Sequence, residues 1–328
     1  MINYCVIGGG WRSEFYLRIA KFIPEIFSVK GVCIRNTETA ERFKKTYDVK
    51  IVDSINDILK IDCDFFVNCI NKEDISNLSF ELCGLGYAVL QETPAAPISK
   101  EKTGYKLQVA EQFHLKPLYQ AIKGIIKDGI IGEVNHIEIS VAHEYHAMSL
   151  IRFFMDVDNP QCIYSKKLIH PVLHTHFRQG ELDEKEIADS KHQIAVFDCD
   201  GKSAIYNFDY EQYFSPIRAD RLLIRGTRGE IENNTVRYFN AENQYCESVI
   251  VQHKSGNLDG YFNGTITFCN KVYYQSPFAD ARLSDEETAV ATTLLKMDKY
   301  LKTGEEFYSF ESAVKDVVCC ISENGAIG

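Results

Sequence analysis

Three observations predict an α/β chain of two domains. A glycine turn separates a strand-like run from a helix-like one near the N-terminus. Apolar runs then alternate with helical patterns through the first 110 or so residues, and from residue 134 the period of the pattern drops to two. The first domain, residues 1–120, is therefore expected to be a doubly wound parallel sheet of the Rossmann type. Residues 121–328 are expected to form an α+β domain with a large, mostly antiparallel open sheet, whose C-terminal helices pack back on the first domain. A chain of 328 residues exceeds the 250–300 or so at which a single core stops growing, which also points to two domains.

Composition narrows the function. Thirty-six basic against 46 acidic residues give a net charge of −10 with no basic block, which excludes nucleic acid and anionic membrane as expected partners. No apolar stretch reaches the length of a membrane span, and no signal-peptide pattern precedes the first strand, so a cytoplasmic protein is expected. The eleven cysteines contain no C-x-x-C pair. Cys33, Cys69 and Cys199 lie within apolar runs, as buried free thiols in a reducing compartment do.

Cys5-Val6-Ile7 is a short apolar strand. It breaks into Gly8-Gly9-Gly10, then Trp11-Arg12-Ser13, and residues 14–20 carry apolar side chains at helical spacing. Glycine lets backbone approach an anion with no Cβ in the way, and the first free amides of the following helix point at it. Read as G-x-G-x-x-G, Gly8 and Gly10 fill the first two positions and Ser13 replaces the third, a residue small enough to keep helix and strand close.

The chain continues with a strand over 27–34, a polar helix over 37–46, a short strand over 49–52 and a short helix over 55–59. Residues 64–70 are almost continuously apolar, as in a strand buried on both faces. A helix over 78–85 stops at Gly86, and 87–90 is the next strand. This spacing makes the glycine turn a dinucleotide cradle. Where an Asp or Glu would grip the ribose of NAD, the second strand ends in Arg35-Asn36-Thr37. A cation beside two small polar groups suits a 2′-phosphate, which favours NADP over NAD.

Gln91-Glu92-Thr93-Pro94-Ala95-Ala96 follows the fifth strand, and Asp128-Gly129-Ile130-Ile131-Gly132-Glu133-Val134 leads into the second half. In these motifs the chain resembles the glucose–fructose oxidoreductase/inositol dehydrogenase/MocA (Gfo/Idh/MocA) family. The family carries Glu-Lys-Pro after this strand; Glu92 and Pro94 match, while Thr93 stands at the position of the catalytic lysine. A threonine hydroxyl offers one neutral hydrogen bond and no charge.

A strand over 105–109 reads as the last of the first domain, and a helix over 117–127, whose apolar face carries Leu118, Ile122, Ile125 and Ile126, links it to the second. Residues 134–141 alternate polar and apolar, and 193–197, 203–208, 221–225, 230–232, 235–239, 248–251 and 271–274 behave similarly. A helix over 285–301 follows. His143-Glu144-Tyr145-His146 precedes another helix. The resemblance implies an Asp-x-x-x-His element here, with the histidine near hydride transfer; His146 takes that position, and Ala142 stands at the aspartate's. Imidazole exchanges a proton with a carbonyl oxygen near neutral pH, and Tyr145 is a second donor. His170, His174 and His176 fall in what reads as a loop, with no carboxylate at ligand spacing, so no metal is expected. Gln212-Tyr213-Phe214-Ser215 with Arg218 and Arg221 is a weaker candidate cleft wall for an anionic or polyol substrate.

The resulting expectation is an NAD(P)-dependent oxidoreductase acting on a carbonyl or imine of a small, polar, sugar-like molecule. Gly8, Gly10, Trp11, Arg12 and Ser13 would form the pyrophosphate cradle, and Arg35 and Asn36 would take the adenosine ribose or its phosphate. Cys69, Ile70 and Asn71 would flank the dinucleotide, Glu92 and Thr93 the nicotinamide ribose, and His146, with Tyr145, the reacting oxygen. The resemblance implies a homodimer or homotetramer. The rival reading is a dinucleotide-binding sensor or scaffold without catalysis, suggested by Thr93 and Ala142.

Overall fold

The structure is a computed structural model that describes residues 1–98, 104–178, 180–255, 262–278 and 281–321. Of the described residues, 1–119, 253–265 and 274–314 form one compact unit, and 120–252, 266–273 and 315–321 another.

The first unit opens with β1 (Ile2–Ile7), α1 (Trp11–Phe22), β2 (Phe27–Cys33), α2 (Thr37–Tyr47), β3 (Ile51–Val52), α3 (Ile55–Ile58), β4 (Phe65–Asn68), α4 (Ile75–Gly84), β5 (Val89–Gln91) and β6 (Leu107–Val109). The six strands make one sheet in the order β3-β2-β1-β4-β5-β6, all neighbours parallel. This is the expected doubly wound sheet. Its strand order reverses between β1 and β4, where such sheets open a crevice at their C-terminal edge.

Both sheet faces are covered. Tyr4 and Val6 pack on one side with Tyr16 and Leu17 of α1. Cys5 and Ile7 pack on the other with Phe80 of α4. Burial on both sides explains why β1 and β4 read as continuous apolar runs. Each of these fully buried large side chains contributes about 2–3 kcal/mol of transfer free energy.

In the second unit, α5 (Pro117–Lys127) leads to β7 (Val134–Ser140), α6 (Glu144–Met155), β8 (Gln161–Phe177), β9 (Gly180–Cys199), β10 (Lys202–Asp209), β11 (Arg221–Gly226), β12 (Gly229–Glu232), β13 (Thr235–Phe239) and β14 (Tyr245–Val249). These strands form an eight-stranded sheet, β14-β13-β12-β11-β7-β10-β9-β8, antiparallel except where β7 meets β10. Period-two alternation is realised as expected. Ile137, Ile139, Phe197, Tyr206 and Ile224 are buried, as are Met148, Leu150, Ile151 and Phe154 of α6, while Glu138, Arg225 and Glu247 stay in solvent. Strands Val251–Ser255, Phe262–Phe268 and Lys271–Gln275 form a third, small sheet.

One expectation is corrected. Residues 170–176 are not a loop: they belong to β8, which pairs with β9 along a hairpin arm, His170 opposite Ser190 and His174 opposite Glu186. Most side chains of this arm are at least partly solvated, so it lacks the one-sided apolar alternation by which a strand is recognised.

The chain ends with α7 (Asp285–Thr303) and α8 (Phe310–Ile321). Ser284 and Glu287 cap α7 reciprocally, and Gly304 at φ +75° ends it. Helix α7 lies in the first unit, where Val290, Leu294 and Met297 join the core on the α1 side; Phe310 of α8 joins the opposite core.

Candidate functional site

The crevice of the first unit is a cavity of about 1140 Å³ at the C-terminal ends of β1, β2 and β4. The glycine turn forms its floor. Gly8 sits at φ +128°, and a Cβ there would lie 2.6 Å from the Cys69 carbonyl oxygen, so β1 and β4 come this close only because residue 8 has no side chain. Gly10 differs. It caps α1 in an extended conformation, makes no side-chain cap, and a Cβ on it would meet nothing within 4 Å. The start of α1 is thus left without a side-chain cap at the cavity wall.

The cavity gathers Gly8, Gly10, Trp11, Arg12, Arg35, Asn36, Cys69, Ile70 and Asn71 along its wall. Three expected residues are not on it. Ser13 is buried on α1, beside the Cys69 thiol. Glu92 is buried and Thr93 half-buried, neither lining the cavity. The wall also contains Thr39, Asp53, Asn77 and Glu81, which the motif did not point to because they come from α2, the β3–α3 turn and α4.

The polar groups of this region are committed in specific ways. Arg12 donates from Nη1 to Glu286 at 3.0 Å, and its Nε lies 3.5 Å from Glu92. Burial works against the Arg12 charge, yet these two carboxylates hold its pKa above the ordinary value. Burial pushes the Glu92 carboxyl up, opposed by Arg12 and by the Tyr16 hydroxyl that donates to it. Asn36 accepts from the Thr39 amide at 2.8 Å and so caps α2, leaving its side-chain NH2 for a ligand. Arg35 is exposed at the end of β2.

In the second unit, the turn from β7 into α6 holds the imidazole candidates. His146 is only 4 % exposed, and its ring lies 4.4 Å from Tyr145 and 5.1 Å from His143, centroid to centroid. His143 is half-buried, and Tyr213 meets both its backbone amide and its Nδ1. Glu144 adopts φ +40°, a strained setting for a residue with a side chain. It is held there by Tyr206, which accepts from its amide, and by Tyr210 and Lys191, which donate to its carboxylate at 2.6 and 3.1 Å. Ala142 is fully buried.

The short turn 210–213 supplies Tyr210 and Tyr213, more than 60 residues away in sequence. Of the candidate cleft wall, Tyr213 reaches His143, but Arg218 pairs with Asp209 at 2.8 Å and Gln212 bonds Ser140. Among the described residues no group of three His, Cys, Asp or Glu side chains stands close enough to hold a metal.

No family model matches the chain, and no curated protein matches it. Solved structures do. An oxidoreductase from Agrobacterium radiobacter, in complex with NAD+, L-tartaric acid and magnesium, superimposes with a TM-score of 0.67. The match covers 97% of this chain and 94% of that one at 13% identity. The apo scyllo-inositol dehydrogenase of Lactobacillus casei gives 0.63 at 14% identity over 98% and 95%. A myo-inositol dehydrogenase of Corynebacterium glutamicum gives 0.60 at 12% identity over 98% and 95%. The chain therefore shares the fold of these solved structures over almost its whole length.

Proposed function

We propose that this protein is an NAD(P)-dependent oxidoreductase acting on a carbonyl or imine of a small, polar, sugar-like substrate. The observation that carries this reading is the 1140 Å³ cavity built on the glycine turn at the point where strand order reverses. The open side of Gly10 and the uncapped start of α1 fit a pyrophosphate. Arg12 and Trp11 line the same cavity, as do Cys69, Ile70 and Asn71. Arg35 and the Asn36 amide group suit a 2′-phosphate, so NADP is the preferred form.

When bound, the nicotinamide supplies or accepts the hydride. The chain's part is the proton: His146, with Tyr145 against its ring, is the acid/base group at the substrate oxygen. Glu92 orients Arg12 from within the fold, and Thr93 offers a neutral hydroxyl next to it. The protein acts in the cytoplasm as a homodimer or homotetramer. Turnover of NADPH with a panel of sugar and polyol carbonyls, abolished in His146→Ala, is the test.

A second reading has its own observation. Ala142 is sealed in the core and Thr93 carries no charge, so a sensor that binds dinucleotide without turnover is the alternative. Saturable binding with no turnover on any carbonyl would select it.

A further inference from the structure

The strained turn at the start of α6 does more than position His146. Tyr213 accepts a hydrogen bond from the His143 backbone amide at 2.7 Å, and its oxygen is in short contact with Nδ1 of the same residue. A backbone N–H only donates, so the phenol oxygen is the acceptor there. In the second contact the phenol is the stronger acid and the imidazole nitrogen the stronger base, so the phenol proton goes to Nδ1. That fixes the ring's own proton on Nε2.

From this geometry we infer that His143 is a catalytic hydrogen-bond donor, presenting Nε2–H to the reacting oxygen of the substrate, with Tyr213 as its positioning residue. The inference rests on the oxidoreductase reading. Nε2 makes no hydrogen bond among the described residues, and it is not sealed from solvent. The turn that carries it is over-determined. Glu144 is held at positive φ by Tyr206, Tyr210 and Lys191, and the His146 amide returns to the His143 carbonyl at 3.1 Å. Strain fixed from several elements is characteristic of functional positions.

The charged and titratable groups around the ring are Glu144, Tyr145 and His146 on its own element, Lys191 on β9, Arg178 beyond β8, and Tyr210 and Tyr213. Burial and the His146 ring push the His143 pKa down to about 3, which favours the neutral imidazole near pH 7. A neutral imidazole placed where negative charge develops on oxygen stabilises it without first giving up a proton.

The experiment is nitrogen-15 NMR of histidine-labelled full-length protein, combined with kinetics of three variants. The expected spectrum shows His143 protonated at Nε2 from pH 5 to 8, and a mixture of tautomers in Tyr213→Phe. His143→Gln, whose amide reaches the Nε2 position, is expected to keep kcat within about tenfold. His143→Phe is expected to lose about a hundredfold or more in kcat with NADPH affinity unchanged. An Nδ1–H tautomer, an imidazolium at pH 7, or wild-type turnover in His143→Phe overturns the inference while the oxidoreductase reading stands. Absence of turnover in the wild-type protein overturns both.

Discussion

Arg12 Nη1 lies 3.0 Å from Glu286 Oε1, tying the residue just past the glycine turn to the first turn of α7, 274 positions along the chain. With Glu92 at 3.5 Å, one cation at the cradle is shared by two carboxylates. Both side chains of the Glu286 pair are mostly buried, so the pair is weakly screened. Glu286→Gln removes a negative charge from beside the proposed pyrophosphate position. Dinucleotide binding is expected to tighten by about 3- to 10-fold, at a cost of about 1 kcal/mol in stability. Titration followed by nicotinamide fluorescence and a urea melt measure the two; weaker binding would mean that Glu286 mainly aims Arg12.

The two ends of the glycine turn should separate stability from binding. Gly8→Ala places a Cβ 2.6 Å from backbone at φ +128° and is expected to cost about 3 kcal/mol or more. Gly10→Ala enters open space in an allowed conformation. It should leave the unfolding free energy from urea titration within about 0.5 kcal/mol of wild type while weakening dinucleotide binding tenfold or more. Equal loss of stability in the two variants would contradict this account.

Acid should destabilise the fold through two rings. His114, buried in the first unit and stacked on Tyr308, has its pKa lowered to about 3 by burial, as His143 does in the second. Both folded-state values lie below the ordinary 6.5, so the unfolded chain binds more protons between pH 3 and 6.5. The stabilisation is complete above 6.5 and is lost as pH falls through that window, each ring contributing about 1.4 kcal/mol per pH unit at its middle. Unfolding free energies at pH 5 and pH 7.5 check the sign. His114→Gln should shrink the difference between them.

The Tyr16 hydroxyl serves a buried carboxylate. Tyr16→Phe leaves Glu92 without that donor and is expected to cost about 2–3 kcal/mol. Tyr47→Phe, where a half-buried hydroxyl meets Glu14 at 3.3 Å, should cost less than 1 kcal/mol. Thermal melts of the two variants separate these cases.

Much of this architecture was legible in the sequence, for reasons tied to burial. Strands β1 and β4 are covered on both faces and read as apolar runs; β7 and β10 are covered on one and alternate. Gly8 and Gly10 pointed to the turn at the crevice, which needs a missing Cβ at one and leaves open space at the other. Contacts between distant positions were not legible. Nothing in His143-Glu144-Tyr145-His146 announces Tyr213 or Tyr210, and nothing at Glu92 announces Tyr16. The arm of β8 and β9 was missed because solvent on most of its side chains erases the pattern.

The proposed function requires that the crevice of the first unit bind a nicotinamide dinucleotide, with Arg35 selecting the phosphorylated form. Titration of the protein and of Arg35→Asp with NADPH and NADH, followed by nicotinamide fluorescence, tests it most directly. Saturable NADPH binding, tighter than that of NADH, is expected, with the preference lost or reversed in Arg35→Asp. Failure of both nucleotides to bind the wild-type protein would contradict it at the glycine turn.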